Sequence, residues 1–339
     1  MQRKLAELVR EYTAAESRPV DPTSILAQRT SARPAPLLTS SGSAWPGLSH
    51  DTMASDRALL QFLLSLPSGT SAATGFSTAV ELYAEVRASY LKNSLAPLTK
   101  HVSDTANGVQ SVSVHGPREA VVVYTRGSAR LGEWLQALVQ MTQKEHDLLS
   151  PLLKDLGHPS VFGRTLAAVV RPTLALVHSV LPTLLPRLQH GLNAHRLLVL
   201  DFLGASTEAL GPDGARWSAL LRTMDGKNSE LLDAVGGAQK DAFLFFPEFV
   251  RDVKVIPVQR NADSLDTGVS DIARLGTFLL RSLAEYQDVV LSLFQALGSR
   301  NWTASGAPLP APAGSPAQVL YAEYATDLLA SAVISLERT

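Results

Sequence analysis

The sequence predicts an all-α protein. Apolar side chains recur every three or four residues along most of the 339-residue chain, which is the spacing of an amphipathic helix. Almost nowhere do they alternate at the period of two that marks a strand, and 45% of the residues are hydrophobic, enough for a sizeable core. Because long helical stretches follow one another with short breaks, we expect a bundle or an α-solenoid of stacked antiparallel helix pairs, and of the two we favour the solenoid, which is an elongated rod.

The N-terminal region is predicted to contain one helix and a poorly structured leader. The helix carries Leu5, Leu8, Val9 and Tyr12, and prolines and serines dominate the sequence that follows it. A second helix is expected to begin near Asp51 or Ser55, where apolar residues return. From Val80 the apolar stripe continues to Val102, which predicts one long helix bent at Pro97.

The middle of the chain has the most regular helical patterns. We assign Val121–Val123 to a helix, although valine favours strands, because no partner strand is predicted. The next stripe includes Trp134, Leu138 and Leu149 and closes at Gly157, as a core-facing helix would. Two apolar helices are then expected between Val161 and Leu210.

The C-terminal part is predicted to alternate connectors and helices. An extended connector at Lys254–Gln259 precedes a long helix at Val269–Leu297, and a flexible loop at Asn301–Gln318 precedes a last helix at Val319–Leu336. We expect four segments: a helix and leader at 1–50, and helical modules at 51–157, 158–253 and 254–339, the last incomplete at its C-terminus.

Composition excludes several classes of protein. Thirty Lys and Arg against 31 Asp and Glu leave a net charge of -1, so no overall positive field exists to hold nucleic acid. The absence of Cys removes disulfides, thiolate metal sites and Cys nucleophiles. No secretory signal is recognisable, so we expect a cytoplasmic protein. The apolar region from Thr165 to Leu188 is expected not to span a membrane, because it is interrupted by Arg171, Pro172, Pro182, Pro186 and Arg187.

No catalytic, cofactor-binding or metal-binding residues are predicted. The neighbours Glu145, His146 and Asp147 point about 100° apart on a helix, so we interpret them as a solvated face. His190 and His195, near Asp201, suit a capping or surface role, and His178 in an apolar run suits a hydrogen-bonded core or groove position. Phosphate-binding glycine loops and the zinc-protease helix motif are also missing.

Three basic residues are candidates for weak membrane or partner contacts. Arg251, Lys254 and Arg260 lie near the predicted connector, but Glu248 and Asp252 lie among them. An acidic-lipid site normally has a cluster of four to eight bases. We therefore expect an ordinary solvated surface at this position.

Several stretches resemble the family of exocyst complex component seven. Residues 5–22 are similar to a helix and leader of the type "LFRE...S.PV.P", and residues 83–95 to a "Y..iR...L..SL" helix. Tyr124, Arg126 and Gly127, followed by Trp134 and then Leu138 and Glu145, match the next pattern. Residues 255–275 resemble the connector "P.DG.V..LT", with Asp-Thr-Gly in place of Asp-Gly-Thr, and residues 319–337 resemble a later helix.

The resemblance implies a cullin-repeat-like α-solenoid and a non-enzymatic subunit of the exocyst that tethers secretory vesicles to the plasma membrane in exocytosis. It implies other exocyst subunits and a Rho-type GTPase as partners. The family's N-terminal coiled-coil helix and its basic C-terminal domain, which binds phosphatidylinositol 4,5-bisphosphate, have no match here. We therefore expect the central part of the family's rod, natural or truncated, with weak binding to phosphoinositides.

A second function remains open from the residues alone. The Leu- and Val-rich helices between Val161 and Leu203 could enclose an apolar pocket, as in an α-helical enzyme or small-molecule-binding protein. The lack of a convergent set of polar residues argues against this alternative.

Overall fold

The computed structural model describes residues 2–31, 45–66, 70–108, 124–184, 194–211, 214–224, 230–254, 277, 280–297 and 316–337. Every regular element in these ranges is a helix, which confirms the all-α prediction. The chain divides into two compact units. Unit 1 comprises Met1–Asp104, Arg130–Pro182 and Ser206–Leu232, and unit 2 comprises Thr105–Ala129, Thr183–Ala205 and Asp233–Thr339.

Eleven α-helices have bounds inside the described residues. They are α1 (Gln2–Ala15), α2 (Pro22–Ser31), α3 (His50–Ser65), α4 (Thr70–Gly108), α5 (Leu131–Leu149), α6 (Pro159–Leu184), α7 (Ala194–Leu210), α8 (Ala215–Thr223), α9 (Glu230–Lys254), α10 (Gln287–Leu297) and α11 (Ala317–Glu337). One π-helical turn, Ser150–Lys154, follows α5 directly.

The predicted leader contains a helix, so the prediction of a poorly structured segment was wrong at α2. The Asp21 carboxylate accepts a hydrogen bond from the Thr23 N–H at 3.0 Å, and Pro22 is the first helical residue. Both features favour a helix start, because the acid satisfies a free N–H and proline has none to satisfy. Residues 32–44 of the leader lie outside the described residues.

The early helices bury narrower faces than their apolar content suggested. On α1 the buried residues are Ala6, Val9 and Thr13, whereas Tyr12 is exposed. Helix α3 begins at His50, one residue before Asp51, the earlier of the two predicted starts, because the Ser49 hydroxyl caps it by accepting a hydrogen bond from the Thr52 N–H at 3.2 Å.

Helix α4 is longer than predicted at its start. It begins at Thr70, ten residues before Val80, and continues through Pro97. Helix α4 ends at Gly108, and residues 109–123, including the three valines, lie outside the described residues.

The core of unit 1 contains the predicted stripe on α5. Trp134, Leu138 and Leu149 are all buried. The indole N–H of Trp134 donates a hydrogen bond to the Thr99 hydroxyl at 3.0 Å, which joins α5 to α4. Gly157, in a left-handed conformation with φ of 84°, ends this region as predicted.

Helix α6 is long and apolar enough to cross a bilayer over Pro159–Val180. The expectation that interruptions disqualify this region was therefore too strict. Half of its most apolar stretch is buried inside the protein, with Leu166, Val169 and Val170 fully covered. Since the core helix of a globular protein has the same length and composition, this burial favours a core role for α6.

Unit 2 is centred on aromatic residues from three helices. The ring of Phe246 on α9 lies 4.5 Å from that of Phe294 on α10 and 5.4 Å from that of Tyr324 on α11, measured between centroids. The Tyr324 hydroxyl donates to the Phe246 carbonyl at 3.1 Å, in a helix that also contains Pro247. This hydrogen bond joins α9 to α11 within the aromatic core.

Only parts of the predicted C-terminal elements can be compared with the structure. Helix α9 includes Lys254, where the connector was predicted to start, and residues 255–276 and 298–315 lie outside the described residues. The predicted helix at Val269–Leu297 is seen as helical residues 280–285, a turn at Tyr286, and α10. The last helix agrees with the prediction within two residues at its start.

Candidate functional site

The strongest polar feature of unit 1 is an ion pair inside its core. Arg87 on α4 and Glu145 on α5 have side chains that are 0% and 1% exposed. The Arg87 Nε lies 3.1 and 3.0 Å from the two carboxylate oxygens, and Nη2 donates to the same carboxylate. The prediction that Glu145 lies on a solvated face was wrong, although its neighbour Asp147 is exposed.

The same arginine also holds the segment that follows α1. Its Nη1 donates to the Ser17 hydroxyl at 3.0 Å, and its guanidinium lies 4.2 Å from the centre of the Tyr90 ring. Two turns of helix after Arg87, the Ser94 hydroxyl accepts a hydrogen bond from the Val20 N–H at 3.1 Å. The Arg87 network therefore fastens the N-terminal segment to α4 and α5.

A second buried carboxyl group joins α1 to α3. The Thr13 hydroxyl donates to one oxygen of Asp56 at 3.1 Å, while the other oxygen is buried without a hydrogen-bond partner. The pKa of Asp56 is raised to about 7, chiefly by burial and in part by the nearby Glu16 charge, against the lowering effect of the Thr13 hydrogen bond. The sequence interpretation missed Asp56, although it shares a face of α3 with Leu60 and Leu63.

In unit 2 the corresponding carboxylate is Asp201 on α7. It accepts hydrogen bonds from the Tyr124 hydroxyl and, at 2.9 Å, from the Gly127 N–H. The side chain of Asp201 is buried, and the capping or surface role was predicted only for the two histidines near it. His190 lies outside the described residues, and so does the side chain of His195.

Arg126 ties the same loop to α10. Its Nη1 and Nη2 lie 2.9 and 2.7 Å from the two carboxylate oxygens of Asp288, and its guanidinium lies 5.1 Å from the centre of the Tyr286 ring. The donated hydrogen bonds hold the pKa of Asp288 below its usual range. Loop residues Tyr124–Gly127 thus connect α7 with α10.

The predicted basic candidates give no cluster among the described residues. Arg251 is exposed on α9, Lys254 ends that helix with its side chain outside the described residues, and Arg260 lies wholly outside them. Glu248, which was expected to offset these bases, instead pairs with Arg196 at 2.5 Å. Arg196 also lies 4.9 Å from the centre of the Phe249 ring, a cation–π distance.

The candidate metal and catalytic residues do not converge. Among the residues that the structure describes, no three His, Asp or Glu side chains are placed to hold a metal ion. His178 is 54% exposed, with Nε2 3.8 Å from Glu230, so the predicted core or groove position was wrong. Arg164, Arg171 and His178 are exposed and follow one another at intervals of seven residues. Because seven residues make about two helical turns, the three side chains lie on one face of α6.

An open groove lies between α4 and α6. It has a volume of about 470 Å³ and is lined by Phe76, Val80 and Ala84 on one side and by Val161, Thr165 and Ala168 on the other. Glu81, Glu85 and Arg164 stand at its margins. Of the segment Val161–Leu203, where an apolar pocket was predicted, only α6 lines this groove among the described residues. The described lining residues include no convergent set of polar groups of the kind that a catalytic site needs.

The fold and these interhelical networks define the chain as an all-α protein whose helices are joined by buried polar contacts. The family described as the C-terminal part of the Exo70 exocyst complex subunit matches residues 130–339, which is more than half of the chain. The chain belongs to this family, and the predicted resemblance is confirmed.

Two solved structures show the same fold. One is Saccharomyces cerevisiae Exo70 with additional residues at 2.1 Å resolution, 14% identical, with a TM-score of 0.68 over 99% of this chain and 54% of that one. The other is the S. cerevisiae exocyst component Exo70p, also 14% identical, with a TM-score of 0.63 over 98% of this chain and 57% of that one. The chain therefore spans just over half the length of these proteins. No curated protein matches the sequence.

Proposed function

We propose that this chain is a non-enzymatic helical scaffold of the exocyst, acting in the tethering of secretory vesicles to the plasma membrane during exocytosis. The membership of residues 130–339 in the Exo70 family is the observation that carries the proposal. We propose a cytoplasmic protein that is peripheral at sites of polarised secretion, with other exocyst subunits and a Rho-type GTPase as partners.

The polar networks support a scaffold role. Arg87 and Glu145 are 58 residues apart in the sequence, and Arg126 and Asp288 are 162 apart, so each pair fixes elements that the chain does not hold together locally. Charge-assisted, bidentate hydrogen bonds also define orientation more narrowly than apolar contacts do. Units built in this way present their surfaces in constant geometry, as a scaffold that positions partners requires.

Affinity capture from cytosol tests the proposal. The tagged chain should retain other exocyst subunits, identified by mass spectrometry, above the level seen with a tagged helical protein of similar charge. Circular dichroism on the same preparation checks that the chain is folded. A folded chain that retains none of these subunits would contradict the proposal.

We propose that contact with phosphoinositide membranes is weak. Each Lys or Arg near an anionic leaflet contributes about 1 kcal/mol, so Arg251, Lys254 and Arg260 cannot hold the chain against salt. Co-sedimentation with vesicles containing phosphatidylinositol 4,5-bisphosphate should be slight and should vanish at about 0.15 M salt. A triple reversal of these bases to Glu is compared with the same reversal of Arg3, Lys4 and Arg10 on α1. Strong sedimentation at that salt concentration, lost only in the first variant, would reveal a lipid site.

A further inference from the structure

The open groove between α4 and α6, which lies within unit 1, has walls of opposite charge. On α4 the exposed residues Ser77, Glu81 and Glu85 follow one another at intervals of four, so they form one edge of the groove. On the α6 side Arg164 lines the groove, and Arg171, exposed seven residues later, lies on the same helix face. One wall is therefore acidic and the other basic.

The charged side chains of the two walls make few contacts within the chain. The Glu81 carboxylate accepts a hydrogen bond from the Ser77 hydroxyl at 3.0 Å, and the Arg164 Nε donates to the Ser160 carbonyl of its own helix at 3.3 Å. Among the described residues, Glu85 and Arg171 form no hydrogen bond or ion pair through their side chains. The acids and the bases therefore do not neutralise each other across the groove, and both walls can still pair with a partner.

The floor of the groove has the shape and the apolar character that suit a third helix. Val80 and Ala84 line it from α4, and Val161 and Ala168 line it from α6. Because both rows recur at three- or four-residue spacing, the depressions between their side chains repeat about every 5.4 Å, which is one helical turn. The side-chain ridges of another helix have the same repeat and fit such depressions. An open groove of about 470 Å³ cannot surround a small ligand as an enclosed pocket does.

We infer that this groove docks an amphipathic helix of another polypeptide, with Leu or Ile at three- and four-residue spacing, bases along one edge of that apolar face and acids along the other. The bases of the partner face Glu81 and Glu85, and its acids face Arg164 and Arg171. This is the helix-in-groove mode of recognition, and the opposite charges of the walls fix the direction in which the partner helix runs. The inference rests on the groove alone and is independent of the proposed exocyst function.

Two other occupants fit the groove less well. A second copy placed groove to groove would bring two concave surfaces together and leave a void between them, which close packing disfavours. An anionic leaflet would be attracted by Arg164 and Arg171 but repelled by Glu81 and Glu85.

Fluorescence anisotropy with three synthetic peptides tests the inference. Each peptide is about 14 residues, or four helical turns, long and carries Leu at three- and four-residue spacing. The mixed peptide has Lys along one edge and Glu along the other, the second peptide has Lys along both edges, and the third has Glu along both. The full chain should bind the mixed peptide about fivefold more tightly than either of the others, or better, because each of those places like charges against one wall.

Charge reversal of one wall at a time should change which peptide binds best. Arg164→Glu with Arg171→Glu makes both walls acidic, so the peptide with Lys along both edges should become the tightest ligand. Glu81→Lys with Glu85→Lys makes both walls basic, so the peptide with Glu along both edges should become the tightest. Loss of folding would weaken all three peptides and could not produce these two exchanges. An unchanged order of affinities in either variant would overturn the inference.

Matched controls separate the groove from other surfaces of the chain. Arg216→Glu with Arg222→Glu reverses two exposed bases of α8, which does not line the groove, and should leave the order of the three peptides as in the unmodified chain. Ala168→Trp fills the groove and should weaken binding of the mixed peptide at least about tenfold, since anchors packed in a groove carry most of the affinity. Ala175→Trp, on the same exposed face of α6 but outside the groove, should not. Equal effects of the two Trp substitutions, or no binding of the mixed peptide, would contradict the inference.

The other occupants of the groove give distinct results. Light scattering should show a monomer, whereas a dimer that Ala168→Trp dissociates would assign the groove to a second copy and overturn the inference. Sedimentation with neutral or anionic vesicles should be the same for the unmodified chain and for Ala168→Trp. If this substitution abolishes sedimentation, the groove is a membrane contact and the inference is wrong.

Discussion

The buried carboxyl group of Asp56 predicts an unusual dependence of stability on pH. Its pKa is raised from 3.8 to about 7 because the group is withdrawn from water, with one oxygen lacking a hydrogen-bond partner. The polar groups near it are the Thr13 hydroxyl and the Glu16 carboxylate on the α1 side and, on α4, the buried Tyr83 hydroxyl. None of these is a cation that would stabilise the ionised form.

The direction of the pH dependence follows from which state, folded or unfolded, binds the proton of Asp56 more tightly. Since the folded pKa lies above the unfolded value, the folded state holds the proton more tightly between about pH 4 and pH 7. The free energy of unfolding therefore falls as the pH rises through this range, and stays low above it. A difference of about three pH units corresponds to about 4 kcal/mol at about 1.36 kcal/mol per unit.

Substitution Asp56→Asn isolates this effect. The amide oxygen can still accept from the Thr13 hydroxyl, but the group carries no charge at any pH. Asp56→Asn should therefore have little effect at about pH 4 and should raise the free energy of unfolding by up to about 4 kcal/mol at about pH 8. Urea unfolding followed by circular dichroism at a series of pH values measures this difference.

A control and a direct titration complete the test. Asp104→Asn changes an exposed carboxylate of the same unit and should alter stability by a few tenths of a kcal/mol at every pH, as surface changes do. Carbon-13 NMR of the Asp56 carboxyl group should show titration near pH 7. An effect of Asp56→Asn that does not depend on pH, or a loss of stability in mildly alkaline solution, would refute the reasoning.

The other predictions concern the two polar networks and the core. Arg87→Met alone should destabilise unit 1 by about 3 to 5 kcal/mol in chemical unfolding, because Glu145 is left as a buried unpaired charge, whereas Arg87→Met with Glu145→Leu should recover most of the loss. A double variant that is destabilised as much as Arg87→Met alone would contradict this reasoning. Trp134→Ala should cost about 3 to 5 kcal/mol through its cavity, and unchanged thermal stability would show that the stripe is not in the core. Tyr124→Phe should cost about 1 to 3 kcal/mol, since Asp201 loses a donor, whereas Tyr12→Phe at an exposed position should cost almost nothing in the same assay.

The helices of the fold could be predicted because their signal is local. A three- and four-residue apolar spacing is written within each helix, so the stripe on α5 and the positions of α6 and α11 follow from the sequence. The start of α2 was missed because proline was interpreted as a breaker, although Asp21 before Pro22 is typical of a helix start. The neighbours of each helix were not predictable in the same way.

The polar residues show where sequence reasoning ends. The resemblance to the family singled out Arg87, Ser94, Tyr124 and Glu145 as motif residues, and each of them makes a side-chain hydrogen bond in the structure. By residue type alone Glu145 belongs on the surface, since an isolated buried carboxylate is strongly unfavourable. Its position on the α5 stripe, three residues before Leu148, was the signal for burial.

By itself the sequence determined the all-α class, the apolar faces of the main helices and the family, because composition, periodicity and motif order are properties of the chain alone. Only the tertiary structure decided which charges are buried and with what partner. Arg87 pairs with Glu145, and Tyr124 with Asp201, at sequence separations of 58 and 77. No local pattern encodes a contact at that separation, since it exists only when two helices pack and exclude water from both groups.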